Sequence, residues 1–141
     1  MNYSRVALAA TAATAAYFVF GFLVFGLIPQ LRAEFSKYPA VYRSPDGIKA
    51  VMPAGMAAMF VSIVALAALY ALAWQGGAPL TNGARFGALI GVFAVGAFVL
   101  HNYVNLNIGL KLALQQAAIY FVQWTLIGVV IALVYRPAVA R

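Results

Sequence analysis

The sequence predicts an all-α polytopic membrane protein, a bundle of four transmembrane helices, and three observations carry that class. First, only nine Lys or Arg and two Asp or Glu occur among 141 residues, and they leave charge-free windows at 6–31, 50–84, 86–110 and 112–135. Each window exceeds the about 20 mostly apolar residues that a helix needs to cross a hydrocarbon core about 30 Å thick. Second, 66% of the residues are hydrophobic, far above the about 45–50% of an ordinary soluble domain. Third, four spans and their connections use the whole length, so residues 1–141 read as one integral membrane domain with no room for a soluble module.

Span 1 is placed at 6–28. The Met1–Arg5 start followed by an Ala-rich run resembles a signal peptide, but the uncharged stretch continues to Leu31, well past the about 7–15 residues of a signal core. It is therefore expected to be retained as a helix. Pro29 ends it, because proline has no N–H to donate and clashes with the preceding turn. The small residues of Ala7–Ala16 suit a protein-facing half, and the following Phe-rich half suits lipid.

The segment 30–49 carries six of the eleven charges, including both acids, Glu34 and Asp46. It reads as a polar interfacial segment in which Tyr38, Tyr42 and Arg43 lie at headgroup level. Ser44-Pro45-Asp46 has the order of an N-cap, a first-turn proline and a first-turn acid, so a short helix is expected from residue 45 to about Pro53. Span 2 is placed at 53–74 with Trp74 as an interfacial anchor, and Gln75-Gly76-Gly77-Ala78-Pro79 is a turn signal. Span 3 is placed at 84–105 after a cap at Thr81 or Asn82, and span 4 at 112–135, closed by Pro137. Basic residues divide as Arg5, Arg85, Arg136 and Arg141 against Arg32, Lys37, Arg43, Lys49 and Lys111, a near-even split that selects no orientation.

The strongest local pattern is in span 3. At 100° per residue Gly83, Gly87, Gly91, Ala94, Phe98, His101 and Asn105 share one stripe, with Asn102 beside it. Glycines at this spacing form a groove that admits a neighbouring backbone, and the sequence reading takes it as helix packing within the chain, with a dimer seam as the alternative. Gln116, Tyr120 and Gln123 form a matching polar stripe on span 4. His101 lies about 9 Å from the bilayer centre by its count from mid-span, at the depth of Gln116, so a buried His101–Gln116 contact is expected, with Asn102, Asn105 and Tyr120 close by. Apart from tyrosine, and from Arg85 at the very start of span 3, His101 is the one ionisable side chain within a span. It reads as a hydrogen-bonded seam residue, with a proton or solute pathway as the second reading.

Composition excludes several chemistries. With no Cys there is no thiolate site, and one His without a nearby acid supplies no ordinary ligand set, so neither metal nor cofactor is expected; two chains contributing His101 would be the one route to a cofactor-binding module. Met52, Met56 and Met59 share a face that reads as flexible packing. No carboxylate pair, Ser-His-Asp order or phosphate loop is present, so enzymatic function is not expected. The basic residues are scattered at helix ends, which predicts anionic lipid headgroups rather than nucleic acid as their partners. Trp124 in mid-span needs a partner for its indole N–H or a cavity beside it.

An aromatic and Gly-rich exit from span 1, a basic and aromatic first loop, and His101-Asn102-Tyr103 ahead of Leu110-Lys111-Leu112 resemble small bacterial four-span membrane families of unknown function. The resemblance implies an integral membrane protein, and the expected location of the chain is the bacterial inner membrane, as a multi-pass protein. In size and span count the chain also looks like small multidrug exporters, but those depend on an acid inside the first span, which this one lacks. The expected function is that of a non-enzymatic membrane protein, either an accessory or assembly subunit of a membrane complex or a homo-oligomer packed through small residues. A small-solute or ion pathway around His101 is the alternative.

Overall fold

A computed structural model describes residues 1–136, so Pro137 and Arg141, used above for the end of span 4 and for the charge split, lie outside the described residues. Among the described residues five helices follow one another: α1 (Tyr3–Leu27), α2 (Pro29–Phe35), α3 (Pro45–Leu72), α4 (Pro79–Asn105) and α5 (Leu110–Val134). α1, α3, α4 and α5 are long and apolar enough to cross a membrane, which makes this an all-α, multi-pass bundle.

Local chemistry sets the helix ends. Asn2 caps α1 by accepting the Arg5 N–H at 3.0 Å, and the Ser44 hydroxyl caps α3 by accepting the Gly47 N–H at 3.2 Å. Pro29, Pro45 and Pro79 all stand in first turns, where a missing N–H removes no hydrogen bond. Three expectations for the helix ends change. The cap expected at Thr81 or Asn82 is not there: α4 begins at Pro79 with Ala78 at its N-cap, because the proline takes the first-turn position, and the Asn82 amide donates to the Gly76 carbonyl instead. Pro53 does not separate a short helix from a span: α3 runs through it, because a proline near the end of a membrane helix frees a carbonyl that water or headgroups can satisfy. Residues 29–35, read as loop, form the short helix α2, which Pro29 starts as well as ending α1.

The helices lie in the order α3, α1, α5, α4, with α5 between α1 and α4. Helix association within lipid gains little from the hydrophobic effect and depends on close packing. The α4–α5 seam has that closeness. A Cβ added to Gly87 would stand 2.6 Å from the carbonyl oxygens of both Trp124 and Thr125, and one added to Gly83 would stand 2.7 Å from the Ala132 Cβ. Gly128 of α5 faces the Gly87 backbone directly. Ala9, Ala10 and Ala13 of α1, Ile63 and Ala67 of α3, and Ile127 and Ile131 of α5 build the central core. The Phe-rich second half of α1 is outside it, with Phe22 and Leu27 exposed.

α3 is asymmetric. Its second half is in the core, and Tyr70 reaches across to Phe86 and Tyr135 at centroid distances of 5.2 and 6.2 Å. From Ile48 to Ser62 every residue is exposed except the half-buried Met59, so the first half stands away from its neighbours.

Candidate functional site

The polar residues expected to form one intramembrane layer divide into two groups. α4 is not a uniform α-helix: Val95–Leu100 is a π-helical turn, in which the His101 N–H donates to the Gly96 carbonyl five residues back. Such a turn is an α-helix with one residue inserted, and it shifts the phase of everything after it. Gly83, Gly87, Gly91 and Ala94 are buried on the seam, but the next buried position is Val99 rather than Phe98, which is 54% exposed. His101, Asn102 and Asn105 consequently face outward, and the Asn105 amide donates to the His101 backbone carbonyl at 3.0 Å instead of crossing to another helix. The expected His101–Gln116 contact does not form.

Gln116, Tyr120 and Gln123 do converge, on α1 and on loop 1, the connection from α1 to α3 (residues 28–44) that includes α2. They border a cavity of about 300 Å³ with Tyr17, Gly21, Phe35 and Tyr42. Its polar equipment is neutral. The Gln116 Nε2 donates to the Tyr42 hydroxyl at 3.1 Å, and the Gln123 Nε2 donates to the Tyr17 carbonyl at 3.1 Å. Gln123 is buried, and a carboxamide in a hydrocarbon layer requires such a partner. Gly21 lines the α1 side of the cavity, and a Cβ there would lie in ordinary contact with the Gln123 Nε2, 4.0 Å away. Beside the cavity the Trp124 ring packs on Tyr17 at 5.7 Å, and its indole N–H is buried without a partner among the described residues.

Loop 1 forms the cover of this cavity. Phe35 packs edge-on against Tyr42 at 4.8 Å and against Phe25 at 5.5 Å. Two long-range ties hold the cover down. The Gly109 N–H donates to the Tyr38 hydroxyl at 3.0 Å, and the Glu34 carboxylate, 4% exposed, pairs with Lys37 at 2.8 Å and Lys111 at 3.2 Å. The hydrogen bond from Lys37 is the main cause that holds the Glu34 carboxyl below the usual carboxylate range; burial opposes it and Lys111 adds to it. The same bond raises the Lys37 ammonium above its ordinary value. Arg43 is exposed, and Asp46 forms an exposed pair with Lys49 at 2.9 Å, so neither joins the cavity.

Sequence reading missed Tyr17, which sits where a Phe-rich run suggested lipid contact, and the Glu34–Lys111 tie, whose partners are far apart in sequence. The one available signal for Tyr17 was its hydroxyl, which distinguishes it from the phenylalanines after it. Among the described residues no group of three or more His, Asp or Glu gathers as a metal site would require. The fold and site thus define a multi-pass helical membrane protein with a neutral, covered cavity in its bundle. Comparison with protein-family models, with curated protein sequences and with solved structures found no match.

Proposed function

We propose that this chain is a non-enzymatic subunit of the bacterial inner membrane that works by associating with other helices in the bilayer, in a homo-oligomer or a larger membrane complex. The observation that carries this reading is the first half of α3. Ala50, Ala54, Ala58 and Ser62 recur every fourth residue along it and are all exposed, and Gly55 beside them has open space around its Cα. A small-residue row allows a second helix to approach closely, as the buried glycine row of α4 does within the chain. The α4 row itself is occupied by α5, so association would fall to α3. The four helices long and apolar enough to cross a membrane support the membrane setting of this reading.

Native separation in mild detergent tests the proposal. The wild type is expected in a species larger than a monomer, and Ala54→Leu or Ala58→Leu is expected to convert it to monomer. Leu89→Ala, at a residue 71% exposed on the outer side of α4, should leave the size unchanged. A wild type that runs as a monomer in native membranes would sink the proposal.

A second reading is favoured by the covered cavity. Its carboxamides and phenols suit a neutral, partly apolar solute better than an ion, because no charged group borders it. The pathway alternative then rests on Gln116, Tyr120, Gln123, Tyr42 and Tyr17, without His101. In liposomes, Gln123→Leu should abolish uptake of such a solute and His101→Ala should not; the reverse pattern would reject this reading.

A further inference from the structure

The opposite end of the bundle holds a second cavity, of about 470 Å³, between the C-terminal end of α3 and the first turns of α4. Tyr70, Trp74, Asn82, Arg85 and Phe86 border it together with Gly76 and Gly77. Two independent features of this cavity point to one chemistry. Arg85 makes no ion pair among the described residues, and both acids of the chain, Glu34 and Asp46, are occupied by lysines at the other end of the bundle. The Tyr70 side chain is 4% exposed, and its hydroxyl is buried without a hydrogen-bond partner. A buried hydroxyl without a partner is destabilising, so an acceptor brought within its reach would be favoured. Part of the cavity wall is held in place: Gly76 and Gly77 take φ of 85° and 95°, and the Asn82 Nδ2 donates to the Gly76 carbonyl at 2.8 Å. At Gly77 a side chain would also meet the Asn82 amide, with a Cβ only 3.1 Å away.

We propose that this cavity binds a phosphate group, that of an anionic phospholipid, with Arg85 as its charge partner and the Tyr70 hydroxyl as a hydrogen-bond donor. A guanidinium fork matches phosphate oxygens, and basic pockets between membrane helices at headgroup depth receive lipid phosphates. The N-terminus of α4 has neither a side-chain cap nor an acid in its first turn, so its helix dipole also favours an anion there. With four spans, Arg5 and Arg136 fall at the same end of the bundle as Arg85, and the site is distinct from α3's small-residue row, so it stands whether or not the chain associates.

Trp74 gives the assay. The full chain carrying Trp124→Phe, in nanodiscs of phosphatidylcholine, keeps Trp74 as its single indole and is titrated with phosphatidic acid. A saturable change in emission is expected. Arg85→Gln should weaken the apparent affinity about tenfold or more and Tyr70→Phe several-fold, consistent with loss of a charged and of a neutral hydrogen bond. Arg136→Gln should leave it unchanged. Equal weakening by Arg136→Gln would mean diffuse surface attraction and would overturn the site, as would wild-type titrations in both Arg85→Gln and Tyr70→Phe. Inorganic phosphate added to the same nanodiscs should produce no change; an Arg85-dependent response to it would overturn the lipid as source. Native mass spectrometry of the chain with both tryptophans provides a check independent of the Trp124 replacement: phosphatidic acid should be retained by the wild type and lost from Arg85→Gln, and equal retention refutes the proposal.

Discussion

Replacing Gly87 by alanine tests the packing logic of the bundle most directly. The added methyl would lie 2.6 Å from the carbonyl oxygens of Trp124 and Thr125 and 2.8 Å from the Thr125 Cα, closer than the 3.0 Å that real Cβ atoms respect. All three obstacles are backbone, so no side chain can rotate away and α4 and α5 must separate. Overpacking of this kind costs about 1–3 kcal/mol, and a backbone seam belongs at the upper end. Alanine's better helix propensity returns about 1 kcal/mol, leaving a net loss of about 2 kcal/mol. Gly26→Ala and Gly55→Ala meet nothing within 4 Å and supply the propensity term alone, so they should be neutral or slightly stabilising. Unfolding in mixed micelles of mild detergent and dodecyl sulfate, followed by helical circular dichroism, measures these differences. Gly128→Ala should exceed Gly87→Ala, and Gly91→Ala, with its nearest atoms at 3.1 Å, should fall below it. If Gly87→Ala is as stable as Gly26→Ala, the seam is not the close contact described here.

Two further predictions concern the covered cavity. Because the folded pKa of Glu34 is lowered, its contribution to stability is complete above the ordinary carboxylate range and is lost as pH falls through the lowered value; Glu34→Gln should therefore flatten the acid limb of a melting profile taken between about pH 7 and pH 3, and an unchanged limb rejects the tie. Gln116→Leu breaks the bond to Tyr42 and should destabilise by about 1 kcal/mol, whereas His101→Ala, exposed and without a side-chain partner, should stay within about 0.5 kcal/mol of wild type in the same unfolding assay.

What could be read from sequence followed the range of the interaction. The four spans were legible because scarcity of charge and length of apolar run are properties of contiguous residues, and Ser44 was legible as a cap because its hydrogen bond closes within three residues. The glycine spacing of α4 pointed to a close helix partner, and α5 lies in that groove. The cover over the cavity was not legible, since Tyr38 meets Gly109 and Glu34 meets Lys111 across two spans of chain. Nor was the continuity of α3, because the effect of Pro53 depends on whether the freed carbonyl finds water or headgroups outside the chain.

The largest departure, the outward turn of His101, has a physical cause that itself can be tested. A regular helix would carry the buried stripe from Ala94 to Phe98 and then to His101 and Asn105, forcing a ring and two polar side chains against α5. The extra residue of the π-helical turn replaces Phe98 by Val99 on the seam, and it leaves the polar groups at the outer surface near the helix end, where water and headgroups can reach them. Removing one residue from that turn should then restore a regular helix without altering which face is buried, since Val99 would follow Ala94 at the ordinary four-residue spacing. Deletion of Gly96, around which a Cβ would meet nothing within 4 Å, is therefore expected to fold and to leave His101 accessible to diethylpyrocarbonate. Deletion of Leu89, in the regular part of α4, shifts the phase by about 100° between Gly87 and Gly91 and should unfold the seam. If the two deletions are equally damaging, the turn is not a removable insertion, and the outward placement of His101 must come from some other constraint on α4.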